Sequence, residues 1–413
     1  MQENKLIAII GGGAAGLAAA ITAARLGAQV TIYERGARVG RKLLATGNGR
    51  CNLTNRQAEV SHYHGQSPEF VQPALERYPV EETLDFFDSL GVMSVEEDGG
   101  KCYPRSLQAA AVLDALRLEC ERLGVETLCD CEITRIQPLK GGGFNLHTPG
   151  GAYYAQSVIV AAGGAASAPL GGCEAGYQLL EALGHRRTAL RPAIVQLKCD
   201  TKATKALNGI KIQAVVTLRQ GESVLAQESG ELLFTDYGLS GPPIMQLSTI
   251  ATRHLGGKQK LTLSLDTVPE MTEEALTALL HRRVQQRPQM LLENFTVGLL
   301  NKRLGQITLK ASGIAPLSRT ADSLTSEELA RYAALLKDWR IDLYDTNGLR
   351  QAQVTAGGIA TADFDSRTMA SRLVPGLYAC GEVLDIDGDC GGYNLQWAWS
   401  SGRLAAASAA AGE

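Results

Sequence analysis

The chain opens on a strand–turn–helix–strand unit that leaves few options for its fold. Lys5-Leu6-Ile7-Ala8-Ile9-Ile10 is a short apolar run of the kind that forms a buried parallel strand. It runs straight into Gly11-Gly12-Gly13-Ala14-Ala15-Gly16, which satisfies G-x-G-x-x-G, and then into an Ala-rich helical stretch from Leu17 to Leu26 that ends at Gly27. A second strand, Ala28 to Tyr33, ends at Glu34. Each glycine has a separate task. Gly11 permits the tight turn, Gly13 lets the backbone approach a pyrophosphate, and Gly16 lets helix and strand pack closely. The N–H groups at the helix start and the helix dipole both favour an anion there. An acid eighteen residues past Gly16 is placed to accept hydrogen bonds from a ribose and disfavours a 2′-phosphate, so FAD or NAD fits and NADP does not. The plainer reading is a strand–turn–helix with spare glycines. It leaves the second strand and its terminal acid without a purpose.

Composition sets the outer bounds. A length of 413 residues allows two to three ordinary domains. With 45% hydrophobic and 20% charged residues, a sizeable core is expected. The net charge is −3, the pI is about 6.1, and no long basic run occurs. Nucleic acid and anionic membranes are therefore poor partners on sequence grounds, and a small-molecule substrate is the expectation. No apolar stretch is long enough to span a bilayer. Nine cysteines are scattered without a C-x-x-C pair, so no metal site is expected. An odd count with no secretion signal points to reduced thiols and a cytoplasmic protein. The oligomeric state is not legible.

Along the chain, residues 35–56 are Gly-rich and basic and read as an extended loop. Glu69 to Gly91 has helical spacing, Val92 to Tyr103 reads as a hairpin around Asp98-Gly99-Gly100, and Leu107 to Leu123 reads as an amphipathic helix. Short strands follow to about Tyr154, and Ser157 to Ala162 is another buried strand opening onto Gly163-Gly164. Residues 193–268 alternate as strands with Gly turns. Residues 272–340 read as helical, with start signals at Thr272 and Thr325. Gly376 to Glu382 reads as a strand ending at glycine and acid, and Leu395 to Ala411 as a closing helix. The expected fold class is α/β: a Rossmann-like FAD-binding domain of glutathione-reductase type formed by both chain ends, residues 1–191 and 351–413. A β-barrel-like plus helical domain, residues 192–350, is inserted between them.

Three distant segments share one logic. The N-terminal fingerprint serves the AMP half of a dinucleotide. The strand ending at Ala161-Ala162-Gly163-Gly164 offers a close backbone approach. Gly381-Glu382-Val383 can set an acid on a polyol chain, and Gly391-Gly392-Tyr393-Asn394-Leu395-Gln396 enters a helix with N–H groups to offer an electron-rich ring edge. A Gly-rich helix cap is the plainer reading of that last segment.

With these motifs the chain resembles the flavoproteins with a glutathione-reductase-like FAD domain that are named for two dinucleotide-binding domains. Their members include aminoacetone-oxidase-like and bile-acid-dehydroxylation-reductase-like FAD enzymes. The motifs that carry the resemblance are GGGAAG, VGRKLLATGNGRCNLTN, GELLFTDYGLSGPP, TAGGIAT and PGLYACGEVLDIDGDCGGYNLQWAWSSG, which span nearly the full length. The resemblance implies one non-covalent FAD, with Gly11, Gly13, Ala15, Gly16, Glu34, Arg35, Gly40, Arg41 and Lys42 at cofactor-facing positions. Gly163, Gly381, Glu382, Asn394, Leu395 and Gln396 match later ones, and Ile133 and Ala162 complete the set. It also implies reduction of a C=C bond conjugated to a ketone, as in 3-oxo bile-acid or steroid-like substrates, with NAD(P)H as transient donor. The chemistry would take place in a dry pocket between the two domains. The chain departs from the family at Ala162, often Thr, and at Asp236, often His. Only one complete fingerprint is present, despite the family's name.

The Gly40–Asn55 loop is the candidate to touch the flavin ring. Arg41 and Lys42 can neutralise the diphosphate. Gly47-Asn48-Gly49 permits a tight bend with N–H groups aimed at a ring, and Arg50 follows. Cys51 beside Arg50 is a candidate low-pKa thiolate, although core packing is the plainer role. His62-x-His64 is the one near pair among six histidines and reads as surface loop. Catalytic residues are not identified; Tyr237 and Tyr393 are candidates to protonate a substrate. Three other readings remain open: an oxidase of a small amine or aminoketone using O₂, a non-enzymatic flavin redox sensor, and a tRNA-modifying flavoprotein, which shares a similar N-terminal fingerprint but needs a basic face that a net acidic chain disfavours.

Overall fold

The computed structural model describes residues 5–412 apart from residue 258. The chain divides into two compact units, Met1–Ala193 with Leu349–Glu413, and Ile194–Gly348.

The first unit is built on a five-stranded, wholly parallel sheet. Its order is Leu377–Ala379, Ser157–Val160, Leu6–Ile10, Gln29–Tyr33 and Glu126–Leu128. The central strands are apolar at successive positions because both faces are covered: Ile7, Ile9, Val158, Ile159 and Val160 are all buried. The helix Ala14–Arg25 covers one face, and the closing helix Tyr393–Ala411 packs against it. Small residues allow this closeness. A Cβ at Gly402 would come within 2.5 Å of the Ala15 carbonyl oxygen.

The helix Ala109–Arg122 is tied to the first helix by Glu119, which accepts from Arg25 Nη2 at 2.7 Å and from Arg122 Nε at 2.6 Å. The Arg122 bond, then Arg25, outweigh burial and hold the Glu119 carboxyl down at about 2. A depressed folded-state value means stability that is complete above about 4.5 and is lost as pH falls toward 2. The stability gap between the wild type and Glu119→Gln is therefore expected to shrink across that acid window in urea titrations. A gap constant from pH 6 to pH 2.5 would contradict this coupling.

The second unit holds a closed six-stranded antiparallel barrel. Its order is Leu197–Cys199, Gly238–Ser240, Ser223–Phe234, Lys211–Gln220, Leu261–Asp266 and Trp339–Thr346. Ala214, Val216 and Leu218 alternate inward along one strand and meet Leu232, Phe234, Leu263 and Leu265. A helical cluster follows, cored by Leu276, Leu280, Phe295, Leu309, Tyr332 and Leu336. Thr272 and Thr325 cap its helices as expected, Thr325 in a reciprocal capping box with Glu328.

The structure corrects four readings of local structure. Residues 193–268 are not strands throughout: Pro242–His254 is a helix, begun by Gly241 at φ 103° and by prolines in its first turn. The 272–340 stretch ends earlier than expected, because Trp339–Thr346 is a strand of the barrel. Glu69–Gly91 breaks at Tyr78-Pro79 into Gln72–Arg77 and Val80–Asp88, since the residue before proline is driven out of the helical region. The 35–56 loop contains a 3₁₀ turn at Leu43–Gly49 and a short strand at Thr54–Asn55 that pairs with Lys101 and Cys102. Among the described residues, no helix is long and apolar enough to cross a membrane.

Candidate functional site

Five sequence-distant segments converge at the carboxyl ends of the parallel strands. Gly11, at φ 107°, lies so close to the segment that follows Val160 that a Cβ there would be 2.5 Å from the Ala161 carbonyl oxygen. The Gly40 N–H donates to the Gly12 carbonyl at 2.8 Å, bringing in the basic loop. A Cβ at Gly381 would lie 2.9 Å from Ala15 Cβ, and one at Gly164 would lie 2.6 Å from Glu382 Oε1. The Gly381 N–H donates to Ser401 Oγ, and Trp397 Nε1 donates to the Gly381 carbonyl, which fixes that turn to the closing helix.

A nucleotide needs room in front of the first helix, and the structure leaves it. A Cβ added at Gly13 would meet nothing within 4 Å, and the same holds at Gly163. At Gly16, by contrast, a Cβ would collide with the Gly11 carbonyl, so this glycine serves packing. Glu34 reaches back over the turn. Its Oε2 accepts from the Gly12 N–H at 2.8 Å and its Oε1 from the Gly36 N–H at 2.7 Å. Each oxygen keeps a lone pair for a ribose hydroxyl. Ile133 is 4% exposed and belongs to the core, in the segment whose Cys131 N–H donates to the Glu34 carbonyl.

The basic residues are already engaged. Arg35 donates to the Gly171 carbonyl at 3.2 Å and Arg41 to the Pro169 carbonyl at 2.8 Å. Lys42 Nζ pairs with Glu382 at 2.7 Å, and Glu382 Oε1 also accepts from the Thr355 N–H. The sequence assigned Lys42 and Glu382 separate roles, diphosphate and polyol; here they form one ion pair. Ala162 is half-buried beside Gly176.

At the other end of the site the closing helix begins after Gly392, at φ 106°, with no side-chain cap. The N–H groups of Tyr393, Asn394 and Leu395 fall in its first turn, where no intrahelical partner exists. Gln396 differs from expectation. Its N–H donates to the Gly392 carbonyl at 3.0 Å, and its fully buried side chain bonds to Thr54, Thr83, Ser400 and the Tyr78 carbonyl. It faces the protein and has nothing left to offer a ring. The Asn394 side chain is likewise spent on Gly388, exchanging hydrogen bonds at 2.9 and 2.7 Å.

The Gly47–Cys51 bend is left-handed at Gly47, Asn48, Gly49 and Cys51. Asn48 and Gly49 are exposed at its tip. Arg50 turns away to Glu97, at 2.9 Å, and lies over the Tyr103 ring at 4.3 Å. Cys51 is fully buried, and burial pushes its thiol up to about 12. The thiolate reading is therefore wrong: Arg50 is adjacent in sequence but spends its charge elsewhere.

The histidine pair is also not plain surface loop. His62 Nδ1 and His64 Nε2 both bond to Asp389, at 3.0 and 2.8 Å, and the His62 ring stacks on Tyr393 at 4.3 Å between centroids. The pairing of Tyr63–His64 with Asp387–Gly388 brings them together. Tyr63 Oη donates to the Tyr393 carbonyl. Burial, then Asp389, raises the Tyr393 phenol to about 12, so it stays protonated. No group of three or more His, Cys, Asp or Glu among the described residues is arranged to hold a metal ion. Tyr237 lies in the second unit, half-buried, its carbonyl accepting from the Cys199 N–H; its neighbour Asp236 is exposed.

Known proteins share this fold. The family model described as the HI0933-like protein Rossmann domain matches residues 5–408. The chain is similar to the 3-dehydro-bile acid delta(4,6)-reductase of Clostridium scindens, with 39% identity over 406 residues and 98% of each chain covered. It is also similar to the ribosomal RNA dihydrouridine synthase of Haemophilus influenzae, with 32% identity over 97% of each chain. Among solved structures, the 3-ketosteroid delta1-dehydrogenase of Sterolibacterium denitrificans shares the fold, with a TM-score of 0.53 at 13% identity over the whole of both chains. The chain belongs to the HI0933-like family of Rossmann-domain proteins.

Proposed function

We propose that this protein uses NAD(P)H to reduce a C=C bond conjugated to a carbonyl in a small substrate of the 3-oxo bile-acid or steroid type. The observation that carries the reading is the similarity, at 39% identity over nearly the full length, to a 3-dehydro-bile acid delta(4,6)-reductase, joined to the convergence of the fingerprint, Glu34, Gly381 and the closing helix at one place. FAD fits the residues present, because the open space before Gly13 suits a diphosphate and the uncapped helix start suits an electron-rich ring edge. Bound non-covalently, FAD would supply the two-electron chemistry.

The chain's own residues bind and orient. Gly11, Gly13, Gly163 and the first helix would hold the diphosphate, Glu34 the adenosine ribose, and Glu382, steadied by Lys42, the polyol chain. Tyr393 keeps a proton on its phenol and is the better placed of the two tyrosine candidates, because it stands at the start of the closing helix.

A second reading has a specific observation behind it. Ribosomal RNA dihydrouridine synthases match almost the full length, and the uracil C5=C6 bond is also conjugated to a carbonyl. The net charge of −3 favours the small substrate. Anaerobic mixing separates the readings. NADH or NADPH is expected to bleach the flavin, and a 3-oxo-Δ4 steroid to restore its colour within one turnover while ribosomal RNA does not. Colour restored by RNA alone would select the second reading. Bleaching by an amine and by neither nicotinamide would overturn both in favour of an oxidase.

A further inference from the structure

Asn52 carries a polar atom that the fold leaves without a partner. The residue is 8% exposed, and its Oδ1 is buried with no hydrogen bond. Leaving a carbonyl in that state is costly, so such an atom in a native protein marks a ligand or water position. Its place is specific. A Cβ at Gly392 would come within 3.0 Å of Asn52 Oδ1 and 2.6 Å of the Thr54 carbonyl oxygen, so the start of the closing helix is pressed against the Thr54 backbone and the Asn52 side chain. That helix has 19 residues and no capping side chain. A buried acceptor therefore stands beside a row of N–H donors.

We propose that Asn52 Oδ1 and the N–H groups of Tyr393, Asn394 and Leu395 form a subsite for an imide edge, in which a ring N–H lies next to carbonyl oxygens. Asn52 accepts from the ring N–H, and the helix start donates to a neighbouring carbonyl. The pyrimidine end of a flavin has this edge, with N3–H between its two carbonyls. The assignment rests on the placement of FAD given above. The surroundings suit it. The Cys51 thiol is buried and neutral, and Arg50 is committed to Glu97, so the helix start is the positive feature that meets the ring.

Reconstitution of the deflavinated protein tests this. The wild type is expected to bind FAD about tenfold or more tightly than N3-methyl-FAD, which lacks the donor and adds bulk against Asn52. Asn52→Ala is expected to bring the two within about twofold by weakening FAD. Equal affinities in the wild type, or an unchanged preference in the variant, would overturn the subsite alone. Failure of a folded apoprotein to bind either flavin would overturn the subsite and the FAD placement together. Should Asn52→Ala not fold, the unaltered holoprotein gives an independent readout. With ¹⁵N-labelled FAD the N3 proton is expected to exchange slowly with solvent, and fast exchange would overturn the proposal. Uracil presents the same edge, so uridine is a further arm: it is expected not to displace FAD, and displacement would assign the subsite to a substrate base and overturn the flavin assignment.

Discussion

Gly13→Val is expected to give a folded, colourless protein. A side chain at Gly13 would meet no protein atom within 4 Å, so the fold has no reason to resist it. The space it fills is the space through which a diphosphate reaches the N–H groups of the first helix. Loss of that approach is expected to weaken FAD by about two orders of magnitude or more, roughly 3 kcal/mol. Gly16→Ala supplies the contrast. There a single methyl collides with the Gly11 carbonyl within the turn, and the expected result is poor recovery of folded protein of any colour. Absorbance per chain, read beside far-ultraviolet circular dichroism, separates the two outcomes. A yellow, flavin-replete Gly13→Val protein would show that the cofactor lies elsewhere.

The fingerprint was legible because every step of it is local: strand, turn, helix and acid follow within about thirty residues, and each is tied to a backbone need. The helix caps at Thr272 and Thr325 were legible for the same reason. What escaped is non-local. Trp339–Thr346 closes the barrel against Leu261–Asp266 only after a helical excursion of more than seventy residues, and no periodicity announces that pairing. The Pro242-Pro243 helix did carry a signal, prolines in a first turn after glycine, but it lay inside a run of strand-like alternation.

The site shows the same division. Glycines that admit the dinucleotide could be picked out by spacing. Partnerships between charged side chains could not, because Lys42 and Glu382 are 340 residues apart, and His62 and His64 meet Asp389 through a two-residue strand pairing. Sequence adjacency also misled at Cys51, where the neighbouring Arg50 is drawn off to Glu97 and burial then governs the thiol.

Gln396 illustrates how a motif position can be essential without touching a ligand, and its substitution is expected to destabilise the fold itself. Its Oε1 accepts from Thr54 Oγ1 at 2.5 Å. Its Nε2 lies within hydrogen-bond distance of Thr83 Oγ1 at 2.9 Å, Ser400 Oγ at 2.8 Å and the Tyr78 carbonyl at 3.1 Å. One amide thus joins the closing helix, the strand Thr54–Asn55 and the two helices parted by Pro79. Leucine matches the volume of glutamine and removes every one of these bonds. The Thr54 and Thr83 hydroxyls are then left buried without their partner, at about 1–3 kcal/mol each. A net loss of about 3 kcal/mol is expected for Gln396→Leu, which in a unit of this size lowers Tm by roughly 6–12 °C. The cofactor-facing role implied by family resemblance makes a different forecast: weaker FAD binding with the apoprotein unharmed. Melting both forms decides between them. If Gln396 acts as an internal brace, apoprotein and holoprotein fall by similar amounts and FAD affinity changes by less than about threefold. If only the holoprotein falls, the side chain serves the flavin and the brace is refuted.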